Sequence, residues 1–367
     1  MVIAPRSVTL PTARFQFVPR MLSFSKKTKG FFIDINGEAV LLARTSSPDA
    51  PMVVEEMREV PVSDEAAVQR ALKELQGKKR GSYLHARCGI YPRHRLVRRV
   101  SLDLKRIKEP DYFQEICLQQ FHLEEGKCTL AVLNAADGTD YDTGKVTTQK
   151  EVIFTGGPND ELLEAQERLL ALGVFPERLE LGTLVALGAL MNYHVFAQLK
   201  SPTLMLEMDA DSTQAFVIGA GGLEISRSIP YGFEAMISVV QKELNLKDDE
   251  SARRLFYSNT FDFTNMGGTL TRKLLKELQA LVGFYEVQTG QSIGQVLGTQ
   301  MPPKLAWLGG SIAKELGVES LKLDFAAWLK SREIGFASSA DPSGMDARWL
   351  AVFGQMTYYD AVPAAKK

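Results

Sequence analysis

One pattern occurs twice in this chain, and it limits the fold more than any single motif does. FFIDI (31–35), a turn at Asn36-Gly37 and EAVLLAR (38–44) are followed by MVVEEMREV (52–60) and a helix. At Thr203 the pattern restarts: TLMLEMD, TQAFVIG and LEISRSIPYG, joined by short turns, lead into a helix over 233–244. Asn-Gly between two β-rich runs marks a tight hairpin. A hairpin-rich unit repeated after about 170 residues reads as two similar lobes, each an open sheet with helices, around a shared cleft. With 367 residues the chain is also longer than one compact core usually serves.

Between the repeats the elements alternate. A helix capped by Ser63 or Asp64 runs through Gln76. LHARCGI (84–90) is a strand, as is LVRRVSLDL (96–104). A helix starting at Pro110 runs to Phe121. Strands at 127–135 and 151–156 flank a polar loop, and a helix over 158–172 ends at Gly173. Later come a long helix over 269–289, KLAWLGG (304–310) as a strand ending in Gly309-Gly310, and a last helix over 345–359.

Composition excludes several functions. The net charge is −1, against general nucleic-acid or membrane-surface binding. Cys88, Cys117 and Cys128 have no paired spacing and read as reduced thiols. No apolar run reaches the length of a membrane span. Neither a phosphate-binding G-x-x-x-x-G-K-[ST] loop nor a G-x-S-x-G nucleophile motif is present. Residues 1–20 are interrupted by arginines, are unlike a secretory signal and read as disordered or as a mis-assigned start. Met21 then opens a basic leader, MLSFSKKTKG.

Chemistry concentrates where the strands end. Asp34 ends the first strand of one repeat; Glu207, Asp209 and Asp211 end the first strand of the other. Acids at such strand ends hold Mg²⁺ through water, and small residues in the turns let backbone N–H groups reach phosphates. The alternative is that they are solvated turn acids. Gly309-Gly310, read as a strand-to-helix turn, would admit a base or phosphate to the backbone. The densest basic patch is Arg87, Arg93, His94, Arg95, Arg98 and Arg99. Strand alternation puts Arg93, Arg95 and Arg99 on one face. They either guard an open sheet edge or dock an acidic partner.

The segment EVIFTGGPNDELLEAQERLLALGVFPERLELGTLVALGAL is similar in layout to the middle of PilM proteins of type IV pilus machines. LMLEMDADSTQAFVIGAGGLEISRSIPYG resembles their second phosphate hairpin, with Ser212-Thr213 and the run from Arg227 to Gly232. LQALVGFYEVQTG resembles their helix with Phe284, Tyr285 and Glu286, and KLAWLGGSIAKELG their Gly-Gly adenosine strand. The likeness runs from about Met21 to Tyr359.

It implies an α/β, actin-like (ribonuclease H-like) two-lobed fold, related to actin and FtsA, with a small subdomain inserted in lobe 1. Lobe 1 is then 21–93, 174–200 and 335–360, the insert 94–173 and lobe 2 201–334. It implies a cytoplasmic protein, recruited to the inner membrane through partners without inserting in it. Those partners are the tail of a PilN-like inner-membrane protein and other pilus platform proteins, with no nucleic acid. The tail would dock in a groove between lobe 1 and the insert, bordered by Arg93, Arg95 and Arg99.

ATP with Mg²⁺ is the family's ligand, which here would meet Asp34, Asn36, Gly37, Glu207, Asp209, Ser212, Thr213, Gly309 and Gly310. The sequence departs from the family there. Its first turn, Asp-x-Gly and then small residues, is here Asp34-Ile35-Asn36-Gly37-Glu38; its second, Asp-x-Gly-x-x-Ser-Thr, is Glu207 to Thr213 with Asp209 in place of the glycine. A carboxylate some 4 Å from a phosphate costs about 1 to 4 kcal/mol. The expectation is a weak or vestigial nucleotide site with no catalytic residue. An active actin-fold ATPase, and an actin-like component of a type II secretion or cell-division machine, are the alternatives.

Overall fold

Asn36-Gly37 turns the chain back on itself, and the first sheet grows from that hairpin. The computed structural model describes residues 29–77, 82–124, 126–142, 148–258 and 260–357. Expectations for the N-terminal 20 residues, the Met21 leader and the chain from Tyr358 onward lie outside them. β1 (Gly30–Ile35) pairs antiparallel with β2 (Ala39–Thr45), and β2 with β3 (Met52–Pro61). The Asp64 side chain accepts from Ala67 N at 2.9 Å and starts α1 (Glu65–Gln76). β4 (Leu84–Ile90) then lies parallel to β1.

The chain next leaves the lobe. β5 (Leu96–Ser101), α2 (Tyr112–Phe121), β6 (Cys128–Asn134) and β7 (Glu151–Pro158) form a three-stranded antiparallel sheet in the order β5-β7-β6 with α2 packed on it. Val100, Tyr112, Ile116, Val152 and Phe154 give this insert its own small core. α3 (Asn159–Ala171) and β8 (Val174–Leu181) return, with β8 parallel to β4, and α4 (Gly182–Ala197) follows. Leu169 of α3 is buried among lobe 1 side chains, so α3 belongs to lobe 1 and the insert ends at β7 rather than at Gly173.

Lobe 2 repeats the plan. β9 (Thr203–Met208), β10 (Thr213–Gly219) and β11 (Gly222–Ile229) form an antiparallel meander. α5 (Phe233–Glu243), α6 (Asp249–Phe256) and α7 (Gly267–Thr289) lead to β12 (Gln295–Gly298), parallel to β9 as β4 is to β1. α8 (Trp307–Leu316) and β13 (Glu319–Ser320) complete the sheet, in the order β11-β10-β9-β12-β13. α9 (Phe325–Lys330), β14 (Ile334–Phe336) and α10 (Leu350–Met356) go back to lobe 1, whose sheet runs β14-β3-β2-β1-β4-β8. Lobe 2 therefore closes before Phe325, not at residue 334.

Two expectations fail here. KLAWLGG is not a strand: Pro303–Leu305 is a single helical turn and Trp307 opens α8, so Gly309 and Gly310 are helical. Pro302-Pro303 presets the φ of a helix start, and the strand beside β9 is supplied by Gln295–Gly298 instead. Nor do Arg93 and Arg95 lie on a strand. Arg95 N donates to Pro92 O at 3.2 Å in a turn, and β5 begins only at Leu96. α4 is buried nearly all round, and its side chains share one core with Met205, Phe216 and Leu297 of lobe 2. That shared core brings the two hairpin ends face to face.

Candidate ligand cleft

β1 and β9 end side by side. Asp34 is fully buried, opposite Gly89 of β4 in the parallel register. Neither of its carboxyl oxygens has a hydrogen-bond partner. Burial pushes its pKa up to about 7; the nearby Tyr91 hydroxyl, not in hydrogen-bonding geometry, lowers it, and the Glu207 charge raises it. Tyr91 is held in place by Gln300, whose Nε2 donates to the Tyr91 hydroxyl at 2.8 Å.

The first turn is closed by its own side chain. Asn36 Oδ1 accepts from Glu38 N at 2.9 Å and Ala39 N at 2.7 Å, and Asn36 N donates to Ala39 O at 3.1 Å. These amides are the donors a phosphate would need, and an Asx turn has taken them. Gly37 is exposed, with open space at the position of a Cβ. Glu38 stands at the cleft mouth. Partial burial raises its pKa, opposed by Arg348 and Lys304.

The second turn is closed by one internal bond and by the start of α5. Asp209 N donates to Ser212 O at 2.8 Å. Phe233 N and Glu234 N, at the start of α5, donate to the Asp209 and Ala210 carbonyls at 3.1 and 2.9 Å. A Cβ on Gly232 would stand 2.3 Å from Asp209 O, so only glycine lets the helix end dock on this turn. Thr213 is buried, and its hydroxyl donates to Tyr231 O at 2.7 Å, away from the cleft.

The cleft acids have a cation already. The Arg95 guanidinium is buried between the lobes, with 4% of its side chain exposed against 0% for Glu207. Its Nε donates to Glu207 Oε1 and to Thr183 Oγ1, both at 2.9 Å. Nη2 donates to Asp209 Oδ2 at 2.7 Å and also to Glu207 Oε1, and Nη1 to Pro92 O at 3.0 Å. Thr183 Oγ1 in turn donates to Glu207 at 2.7 Å. Burial raises the pKa of Glu207, while Arg95 draws it down. Asp209 was expected to repel phosphate; it instead carries half of an arginine clamp.

The arginines expected to meet a partner thus have internal carboxylates. Arg93 pairs with Asp211, and Arg99 pairs with Glu151 at 3.0 Å. Arg93 and Arg95 reach across to lobe 2, as do Arg98, whose Nη1 donates to Gln214 at 3.2 Å, and Arg99 N, which donates to Ser226 Oγ at 2.8 Å.

An open cleft of about 140 Å³ remains in front of the two turns, lined by Asn36, Gly37, Glu38, Tyr91, Asp209, Tyr257, Met301 and Arg348 among others. Gly309 sits behind Met301, 3.8 Å from its sulfur at the Cβ position, and Gly310 faces open space on α8; neither lines the cleft. Arg348 is engaged by Glu59 at 2.6 Å and Asp346 at 2.7 Å. Sequence reasoning missed Tyr91, Thr183, Tyr257 and Arg348, because nothing local distinguishes them. Topology alone assembles them.

Mg²⁺-ATP, the ligand this fold family implies, does not fit the arrangement. The Glu38 and Ala39 amides of the first turn are spent on Asn36, and Glu207 and Asp209 hold a guanidinium. The Gly-Gly pair is in a helix. Among the described residues, Asp34 has both carboxyl oxygens buried without a partner and Glu207 has its Oε2, and burial pushes the pKa of Asp34 up to about 7. Among the described residues, no group of three or more His, Cys, Asp or Glu is arranged to hold a metal ion.

The sequence matches no protein-family model and no curated protein. Among solved structures, the chain is similar to a PilM-PilN type IV pilus biogenesis complex, with a TM-score of 0.64 at 16% identity, covering 90% of this chain and 98% of that one. It also aligns with the ethanolamine utilization protein EutJ from Carboxydothermus hydrogenoformans (TM-score 0.44, 11% identity, 91% of each chain). An archaeal actin homologue aligns at a TM-score of 0.41 and 10% identity, over 90% of this chain and 98% of that one. The fold is the two-lobed actin-like fold, of the kind PilM has.

Proposed function

We propose that this chain is a scaffold subunit of a type IV pilus assembly platform, which docks the short cytoplasmic tail of a PilN-like inner-membrane protein and does not turn over nucleotide. The observation that carries this reading is the match over nearly the whole of both chains to the PilM-containing structure. The cleft supports its second half. Glu207 and Asp209 are engaged by Arg95, and each hairpin turn is partly closed by its own groups. No described helix is long and apolar enough to cross a membrane.

The tail site proposed is the junction of lobe 1 and the insert, where Arg93 is exposed on the connecting segment and Arg95 is committed to the cleft acids. The insert is a separate small sheet on two strand connections, which gives such a junction its walls. Labelled tail peptides from small single-span membrane proteins encoded beside this gene provide the test, read by fluorescence anisotropy. The expected result is saturable binding at micromolar concentration or tighter, with hydrogen-exchange protection in the insert and lobe 1 but not in the cleft turns. Folded protein that binds none of these tails contradicts the docking reading.

A further inference from the structure

We infer that Arg95 is a built-in cation that holds the two lobes closed, so that closure of this protein depends on neither metal nor nucleotide. The inference deepens the scaffold reading and concerns the same cleft.

Arg95 lies on the link between β4 of lobe 1 and β5 of the insert, whereas Glu207 and Asp209 end β9 of lobe 2. Its guanidinium therefore spans the cleft in one side chain. Every nitrogen has an acceptor: Glu207 and Thr183 for Nε, Pro92 O for Nη1, Glu207 and Asp209 for Nη2. The Tyr91 ring lies 5.5 Å from its carbon. Arginine stays protonated under all conditions in which the fold exists, so this charge, unlike a bound ion, does not leave. A dissolved divalent cation would have to displace a tethered one at high effective concentration. Around the buried clamp, Arg93–Asp211, Arg98–Gln214 and Arg99–Ser226 join the same segment to lobe 2 at the surface. The strap reaches lobe 2 through the segment leading into the insert, so the element proposed to wall the tail site is also tied to the cleft.

The test is thermal denaturation of the full chain with Mg²⁺ alone, with Mg²⁺-ATP and with EDTA, alongside radius of gyration by small-angle scattering. Wild type should give the same Tm and radius in all three. Arg95→Ala leaves Glu207 and Asp209 facing each other without their cation, and should lose about 5 °C or more of Tm. Millimolar Mg²⁺ should then restore at least half of that loss, because binding to the folded state alone stabilises it. In Arg95→Ala with Glu207→Gln and Asp209→Asn no restoration should occur. A wild type whose Tm rises with Mg²⁺ by more than about 2 °C overturns the inference, and that measurement needs no variant. So does an Arg95→Ala protein with unchanged Tm and radius. Tail binding, measured separately on wild type, keeps the two claims apart: a wild type with a flat Mg²⁺ response that binds no tail loses the docking reading and keeps the strap.

Discussion

Asp34→Asn should stabilise this protein at pH 8 by up to about 4 kcal/mol, and should leave it nearly unchanged at pH 4. Asp34 is fully buried with both oxygens unpartnered, and its carboxyl pKa is raised to about 7 from the ordinary 3.8. A raised carboxyl pKa in the folded state means the folded chain holds this proton more tightly than the unfolded chain does. The cost is therefore absent below about pH 4, grows as pH rises to about 7, and is constant above that. Asparagine keeps the shape and never ionises. Urea denaturation of both proteins between pH 4 and 8 gives the difference directly. An Asn variant that is destabilised at every pH would mean that Asp34 is charged in the fold and satisfied by a group of opposite charge.

Gly89→Ala should cost about 3 kcal/mol, at the upper end of what overpacking a core produces. A Cβ at residue 89 would stand 2.2 Å from Asp34 Oδ1 and 2.9 Å from Gln355 Nε2. Both neighbours are buried, and Gln355 Nε2 also donates to Ile33 O at 3.2 Å, so neither moves freely. Glycine at 89 is what allows an acid at 34. In an Asp34→Ala background the same substitution should cost much less, a coupling of about 1 to 3 kcal/mol in a double-mutant cycle. Additive losses would show that the clash is relieved some other way.

Much of this architecture is written locally. The Asn36-Gly37 turn, the Asp64 cap and the two three-strand meanders are short-range signals, and each appears where its residues require. The same plan in both lobes, with β4 parallel to β1 and β12 parallel to β9, is the duplication read from the sequence. What failed was non-local. KLAWLGG is an apolar run too short for periodicity to separate strand from helix, and the true strand, Gln295–Gly298, is only four residues long. α6 has an Asp248 cap through Ser251 N at 2.8 Å but is short, and half of its eight residues are charged, so its apolar face is faint in the sequence. The assignment of α3 to lobe 1 rests on where Leu169 packs, which no window of sequence contains.

The cleft shows the same division. Its acids and its arginines were both visible as clusters, and were given separate roles as ligand site and partner site. Arg95 and Glu207 are 112 positions apart, and only the folded topology makes them one feature. Asp209 in place of a turn glycine marked this turn as unusual, and the structure shows it holding a guanidinium.

The claim that this cleft keeps its own cation and takes no Mg²⁺-nucleotide is tested most directly by isothermal titration of the wild-type protein with Mg²⁺-ATP. No binding tighter than a Kd of about 100 μM is expected. A Kd in the low micromolar range would contradict it, since ATP would then be displacing Asn36 from the first turn and Arg95 from between Glu207 and Asp209.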